Sequence, residues 1–320
     1  CRGCPVACGQ ESEVKGGPFR GVISKPEYET IWSFGANCGI PRYDAVIAAH
    51  HLCNDLGLDA ITAGVVVGFA MELHQREMIP GINGYNLRFG DEEALFEVID
   101  LISRRVGIGD LLAKGVKAAS DAIGGGSKGF AMHVKGLEMT GYDPRAFHGM
   151  GLAFATSSRG ACHNVGGWTI RDELIEKKVD RFATKGKGAL VKTIQDVRGY
   201  IDSMGICTIP RRALGLTDCP DGSVLLYATG FDLADQLLMI GERVYNLERL
   251  ILVREGITRK DDDLPGRIKA EFIPDGPAKG HRISQEMLDE MLDEYYVARG
   301  WNGEGKPTMG KLAELDLISP

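Results

Sequence analysis

The sequence predicts a mainly α protein built from two packed helical domains with little β structure. Apolar residues recur at helical spacing in long segments of the 320 residues, whereas the alternation typical of half-buried strands is scarce. The length favours about two domains, because single domains typically contain roughly 100–200 residues. We place the boundary so that residues 1–135 and residues 136–320 form the two domains.

Helices in the first domain are predicted from apolar spacing together with signals at their ends. Asp59 precedes one apolar run as an N-cap, and three consecutive glycines from Gly124 end another. The predicted helices cover residues 43–56, 59–77, 92–104 and 110–123.

The second domain continues the helical pattern. Asp143 followed by Pro144 predicts a helix start, with the acid as N-cap and the proline in the first turn. Further helices are predicted over residues 189–204, 232–253 and 284–298. Residues 256–282 and 300–311 are rich in glycine, proline and charge, which predicts surface connections.

Composition excludes several classes of function. The net charge of −7, with no long basic run, argues against nucleic-acid binding, and no apolar stretch reaches the roughly 20 residues that span a bilayer. Eight cysteines are too few for a disulfide scaffold, and their crowding at the start suits metal binding in a reducing compartment such as the cytoplasm. Because the first residue is a cysteine inside that motif, we expect the natural N-terminus to lie upstream.

The N-terminal cysteines predict an iron-sulfur cluster. Cys1, Cys4 and Cys8 form a C-x2-C-x3-C motif with small residues between the thiols, which lets the backbone wrap around a cluster. A fourth ligand must then come from a distant position, and Cys38, Cys53, Cys162, Cys207 and Cys219 all remain candidates. The alternatives are a structural zinc site for the motif and a buried free thiol for each remaining cysteine.

A carboxylate and a histidine are candidates for proton transfer. Glu27 and Glu29 lie close together after Pro26, and His163 follows a glycine-containing segment that begins at Arg159. A carboxylate–histidine pair suits proton transfer at a carbonyl group. A histidine that is satisfied within the core is the alternative for His163.

Two segments share one pattern at a helix end. Asn54-Asp-Leu-Gly-Leu-Asp59 and Asp202-Ser-Met-Gly-Ile-Cys207 each join acidic or amide side chains to a glycine that ends a helix. Helix capping explains each segment alone. Together they present polar atoms and backbone N–H groups that suit a heterocycle with many donors and acceptors.

These segments resemble the aldehyde ferredoxin oxidoreductase family. The cysteine motif, the acidic segment 26–30, the two helix-end loops, segment 159–163 and segment 241–249 occur in the family's order over nearly the whole chain. The resemblance is to the two mainly helical C-terminal domains, domains 2 and 3, without the family's N-terminal domain. It implies a [4Fe–4S] cluster with ligands Cys1, Cys4, Cys8 and Cys207.

The same resemblance implies the remaining site residues. A tungsten or molybdenum ion held by two pterins would be contacted by Asn54, Asp59 and Asp202, although some relatives have Asp where Asn54 stands. Glu27 and His163 match the family's acid or base pair. Some relatives hold a metal between subunits with a Glu-x-x-His segment, but Ala48 stands where that Glu would be, so no interface metal is expected.

The implied activity is oxidation of aldehydes to carboxylic acids. Electrons would pass through the cluster to ferredoxin or an electron-transfer subunit, and a homo-oligomer is expected. One alternative is the catalytic subunit of an aromatic acyl-CoA reductase of the same family. Another is a non-catalytic electron-transfer or zinc module, which needs the cysteines but neither Glu27, His163 nor the two loops. Because the chain would lack half of the pterin pocket, it is expected to be inactive by itself.

Overall fold

The computed structural model of the chain describes residues 3–4, 6–82, 84, 86–210 and 222–318. It is mainly α, which confirms the predicted fold class. The chain divides into an N-terminal unit, Ala7–Gly141 with Pro265–Arg267, and a C-terminal unit, Cys1–Val6 with Tyr142–Leu264 and Ile268–Pro320. The domain boundary placed after residue 135 stays a prediction.

The N-terminal unit consists of helices and two short hairpins. The antiparallel hairpins pair β1 (Ser12–Glu13) with β2 (Ile23–Ser24) and β3 (His133–Val134) with β4 (Leu137–Glu138). The helices are α1 (Tyr28–Thr30), which continues as a π-helical segment (Ile31–Ala36), then α2 (Tyr43–Leu56), α3 (Ala60–Gln75), α4 (Glu92–Arg104), α5 (Ile108–Leu112), α6 (Gly115–Ile123) and a 3-10 segment (Ser127–Phe130).

Helix α3 forms the centre of the N-terminal unit. Ten of its residues are buried, including Val66, Phe69 and Leu73. The Asp59 side chain accepts a hydrogen bond from the Thr62 backbone N–H at 2.7 Å, as predicted for an N-cap. The bounds of α2 and α4 agree with the predicted ranges 43–56 and 92–104.

The predicted helix over residues 110–123 is interrupted. Helix α5 ends at Leu112 and α6 begins at Gly115, whose φ of 85° lies in the left-handed region that favours glycine. The break turns the Val116 N–H toward the buried carboxylate of Glu138, which accepts it at 2.9 Å. A regular helix could not make that bond, because its interior N–H groups are already used.

No single helix in the described part of the chain has the length and apolar character needed to cross a membrane. Helices α2 and α3 meet those criteria only when taken together, as a pair bent by 114°.

The C-terminal unit contains the longer helices. They are α7 (His148–Thr156), a π-helical segment (Arg171–Ile175), α8 (Lys187–Ser203), α9 (Ser223–Thr229), a 3-10 segment (Ala234–Gln236), α10 (Leu237–Arg254), 3-10 segments Arg259–Asp261 and Gly276–Ala278, α12 (Gln285–Arg299) and α13 (Met309–Glu314). The short helix α11 (Gly266–Ala270) contains the residues at which the chain passes between the units.

Helix α8 packs closely against α10. Gly199 of α8 and Gly241 of α10 lie at the crossing, and a β-carbon at Gly241 would overlap the backbone carbonyl of Asp196. On another side of α8, Arg299 of α12 forms an ion pair with Asp196 and donates to Gln195 Oε1 at 2.8 Å. These contacts fix the position of α8 relative to α10 and α12.

The predicted helix start at Asp143 is wrong. Asp143 and Pro144 instead form successive turns, in which the Asp143 side chain accepts the Arg145 N–H at 2.9 Å and its carbonyl accepts the Ala146 N–H at 3.0 Å. Helix α7 begins later, at His148.

The prediction that residues 256–282 and 300–311 form only surface connections is also wrong. Asp262, Leu264, Ile268 and Trp301 are buried, at 1–6% exposure. The Asp262 carboxylate is buried because it pairs with the guanidinium of Arg249 at 2.9 and 2.7 Å, and a charged residue in a connection gives no sign of such a partner.

The crossing of α8 and α10 gives the first testable prediction. Gly241→Ala should lower the free energy of unfolding by about 1–3 kcal/mol, because the added methyl group overlaps backbone that cannot move without shifting α8. Gly310→Ala in α13, where a β-carbon meets nothing within 4 Å, serves as the control and should be neutral or stabilising by about 0.4–1 kcal/mol. Denaturant unfolding of both variants measures the difference, and equal stabilities would contradict the tight crossing.

Candidate cofactor site

The described cysteines of the predicted cluster are accessible. Cys8 and Cys207 are exposed and Cys4 is partly buried, and Cys1 lies outside the described residues. Gly3 and Ala7 have positive φ angles of 81° and 48°, which curve the backbone between the thiols. Cys4 and Cys207 belong to the C-terminal unit and Cys8 to the N-terminal unit. Among the described residues, no three His, Cys, Asp or Glu side chains converge as a metal site, so the ligand set stays a prediction.

Two other cysteines have properties that are unsuitable for metal ligands. Cys38 and Cys53 are completely buried, and burial raises the pKa of each thiol to about 12. The Cys38 thiol donates to the carbonyls of Ser33 and Gly64, each at 3.2 Å. Because the thiolate is the form that binds metal, these neutral thiols match the alternative of buried free cysteine. Cys219 lies outside the described residues.

The first helix-end loop connects α2 to α3. Asn54 is exposed in the last turn of α2, and Gly57 ends that helix in the left-handed conformation with a φ of 71°. Asp59 uses one carboxylate oxygen to cap α3. Capping therefore occurs in this loop, and the exposed side chains of Asn54 and Asp59 also face solvent, where a ligand has access to them.

A histidine that sequence reasoning missed connects this loop to the acidic segment. Ser24 Oγ lies 2.7 Å from His50 Nδ1, and Asn54 Nδ2 lies 3.5 Å from His50 Nε2. Burial lowers the pKa of His50, while the negative charge of Glu27 raises it. Glu27 and Asn54 therefore both interact with His50. The i to i+4 spacing of His50 and Asn54 on a predicted helix was the available signal.

The two neighbouring glutamates have different environments. Glu27 is exposed at the N-terminus of α1. Glu29 is buried, and its Oε2 accepts the backbone N–H of Gly141 at 2.8 Å. A structural role therefore accounts for Glu29, which leaves Glu27 as the acid that a substrate can reach.

The second helix-end loop follows α8. Asp202 lies in the last turn, and the N–H groups of Met204 and Gly205 bond to carbonyls of that turn, so the loop ends the helix as well. Partial burial raises the pKa of the Asp202 carboxyl, and the nearby Arg198 guanidinium lowers it. Cys207 is exposed just beyond this turn.

His163 is neutral at pH 7. Burial, together with the positive charges of Arg198 and Arg159, lowers the pKa of its imidazole to about 4. Its ring centroid lies 5.3 Å from that of Tyr142, and its Nε2 lies 3.1 Å from Asn164 Nδ2. Since the neutral imidazole predominates above about pH 4, His163 is an uncharged, weakly basic group at neutral pH.

Arg198 is the second residue that sequence reasoning missed. It is 3% exposed, and its Nε and Nη1 have no hydrogen-bond partner within the described ranges. Asp202 and Cys207 interact with it electrostatically, as does Cys162. Trp168 Nε1 also lacks a partner in the described chain. The unsatisfied N–H groups of Arg198, which interacts with the Asp202 carboxylate and the exposed Cys207 thiol, fit a cofactor that supplies acceptors and negative charge.

The different environments of the two glutamates lead to a testable prediction. Glu29→Ala should cost about 1–3 kcal/mol of unfolding free energy, because the Gly141 N–H loses its acceptor. Glu27→Ala should change stability by less than about 0.5 kcal/mol, since the side chain is exposed. Thermal or denaturant unfolding separates the two, and a destabilised Glu27 variant would argue for a structural role of that residue instead.

Comparison with known proteins identifies the family. Residues 1–317 match the family described as "Aldehyde ferredoxin oxidoreductase, domains 2 & 3". The tungsten-containing aldehyde ferredoxin oxidoreductase of Pyrococcus furiosus is 37% identical over 325 residues, which cover 99% of this chain and 52% of that protein. The corresponding protein of Pyrococcus horikoshii is 38% identical over 327 residues, with the same two shares.

Two further similarities extend the comparison. A WOR-like subunit of an aliphatic sulfonate oxidoreductase from Pyrococcus furiosus is 32% identical over 334 residues, which cover 98% of this chain and 49% of that protein. The active-site complex of benzoyl coenzyme A reductase with 1,5-dienoyl-CoA has the same fold, with a TM-score of 0.76 at 21% identity, over 99% of this chain and 52% of that one. The chain spans about half the length of the curated relatives it matches. From the family match over residues 1–317, the chain belongs to the aldehyde ferredoxin oxidoreductase family.

Proposed function

We propose that this chain works within a tungsten- or molybdenum-dependent enzyme that oxidises aldehydes to carboxylic acids and passes the electrons through a [4Fe–4S] cluster to ferredoxin or an electron-transfer subunit. Membership of the family supports this proposal, as do the relatives named as tungsten-containing aldehyde ferredoxin oxidoreductases. We further propose that the enzyme is cytoplasmic and forms a homo-oligomer. Sedimentation analysis of the full-length protein would test the oligomeric state.

One observation carries the proposal within the described residues. The C-terminal end of α8 combines the buried guanidinium of Arg198, the carboxyl of Asp202, the thiol of Cys207 and the neutral imidazole of His163. A structural module would need the thiol, but it would gain nothing from an unsatisfied buried cation beside it.

The residues proposed to hold each cofactor follow from the family motifs. Cys1, Cys4, Cys8 and Cys207 would bind the cluster, and Asn54, Asp59 and Asp202 would contact the bis-pterin. When bound, these cofactors would accept the two electrons of aldehyde oxidation and release them one at a time.

The chain's own residues account for the protons. Oxidation of an aldehyde with water releases two protons for every two electrons. Neutral His163 is able to accept a proton at an imidazole nitrogen, and the exposed carboxylate of Glu27 provides a second acceptor. His50 interacts with this carboxylate electrostatically and contacts Ser24 and Asn54, so the charge of Glu27 lies beside other polar groups of the N-terminal unit.

The cluster ligands are tested by single substitutions in the full-length protein. Cys207→Ala should lower iron and acid-labile sulfide well below four of each per chain, because a cluster that loses a thiolate is destabilised. Cys38→Ala is the matched control, and it should keep wild-type iron because its buried thiol is protonated. Wild-type iron in the Cys207 variant would exclude this residue as a ligand.

The proton-transfer pair is tested by steady-state kinetics. Glu27→Gln and His163→Asn should each lower kcat for aldehyde oxidation by about 10²–10⁴-fold, the range expected when a general acid or base is lost. His281→Asn serves as the control, since His281 stacks on Phe182 and belongs to neither loop. An unchanged kcat in either site variant would remove that residue from the mechanism.

Metal analysis separates this proposal from its alternatives. Tungsten or molybdenum together with iron and sulfide in anaerobically purified full-length protein supports the oxidoreductase. Zinc without sulfide would instead identify a structural module. Turnover of aromatic acyl-CoA in place of aldehydes would assign the protein to the reductase alternative.

A further inference from the structure

Two of the three most deeply buried arginines among the described residues are fully paired. In the described part of the chain, three arginines are at most 3% exposed: Arg198, Arg249 and Arg299. Arg249 forms a two-point ion pair with Asp262 at 2.9 and 2.7 Å, and its Nε donates to the Gly305 carbonyl at 2.7 Å. The guanidinium of Arg249 is therefore satisfied from all three nitrogens.

Arg299 follows the same rule with a larger set of partners. It forms an ion pair with Asp196, donates to Gln195 Oε1 at 2.8 Å and to the Lys192 carbonyl at 3.3 Å, and its Nε donates to the Tyr295 hydroxyl at 3.0 Å. These partners offset the desolvation of the charge.

Arg198 departs from this rule. Its Nε and Nη1 are buried without a hydrogen-bond partner, and within the described ranges no carboxylate forms an ion pair with it. Asp202, one helical turn further along α8, attracts it only at longer range, as do the thiols of Cys162 and Cys207.

Such an arrangement is costly unless a ligand completes it. Burial of an unpaired ion costs several kcal/mol even after relaxation, and arginine cannot avoid this cost by losing its proton. Nε–H and Nη1–H point in different directions from one planar guanidinium, so each of the two donors needs an acceptor atom of its own. Asp202 in the last turn of α8 and Cys207 just beyond it both interact electrostatically with Arg198, so the acceptor belongs at the C-terminal end of this helix.

We propose that Arg198 binds an anionic part of the cofactor assembly, with Nε–H and Nη1–H donating to separate acceptor atoms, beside Asp202 and Cys207. The inference rests on the proposed function, because that function supplies the anion. The anion has two possible sources, the thiolate-bound cluster and an anionic group of the pterin. In both cases the guanidinium supplies positive charge and two directed hydrogen bonds.

The test uses full-length protein purified anaerobically, with the variants Arg198→Met and Arg198→Gln, which remove the charge with different polarity. Arg254→Gln is the matched control, because it removes the same charge from an exposed position paired with Glu255. Two quantities are measured for each protein: tungsten and pterin per cluster iron, and the midpoint potential of the cluster from a redox titration followed by electron paramagnetic resonance.

Each source of the anion predicts its own result. If the guanidinium faces the cluster, both Arg198 variants keep their iron and their midpoint potential moves to a more negative value, because the reduced cluster loses a stabilising cation. If it faces the pterin, tungsten and pterin fall on the order of tenfold under equilibrium dialysis while the potential stays at the wild-type value. Arg198→Lys, which restores the charge without the planar guanidinium, should recover part of either loss.

Wild-type cofactor content and wild-type potential in the Arg198 variants would overturn the inference and leave the proposed function intact. A wild-type protein without cluster or pterin would overturn both. If the methionine variant does not fold, the glutamine variant decides by the same two measurements.

Discussion

The position of helix α8 is the constraint on which the candidate site depends. At Gly241 the backbone of α10 approaches the Asp196 carbonyl so closely that no side chain fits between the helices. On a second side, Arg299 binds Asp196 and Gln195 from α12. A helix held in this way cannot slide or rotate without disturbing the close contact at Gly241 and the buried ion pair between Arg299 and Asp196. The last turn of α8 therefore has a fixed position within the C-terminal unit. This turn carries residues that are proposed to contact the cofactors.

The parts of the fold that were predicted from sequence share one property. Helices α2 and α4 combine a regular apolar spacing with a capping residue that lies next to the helix in the sequence. Local information was therefore sufficient to define them. The same reasoning failed where a distant partner decides the conformation. The break before Gly115 places the Val116 N–H on Glu138, and the burial of Asp262 depends on Arg249. Neither partner is visible from local periodicity.

The candidate site divides in a similar way. Glu27, His163, Asp202 and the cysteines were predicted because motifs carry residue types in a fixed order. The contribution of Arg198 depends on burial and on the lack of partners at two nitrogen atoms in the described chain, and a sequence records neither property. The different roles of Glu27 and Glu29 likewise emerge only from exposure, because both are acids two residues apart in the same motif.

The contrast between buried and accessible thiols determines which cysteines are oxidised when the protein is exposed to air. Oxidants and alkylating reagents react with the thiolate form, so a core thiol whose pKa is about 12 is almost inert at neutral pH. Cys8 and Cys207 are exposed, so such reagents reach both sulfurs when no metal covers them. Damage to apoprotein would therefore concentrate on two of the sulfurs proposed to bind the cluster. A sample damaged in this way would lose its capacity to be reconstituted while its helical core stays folded.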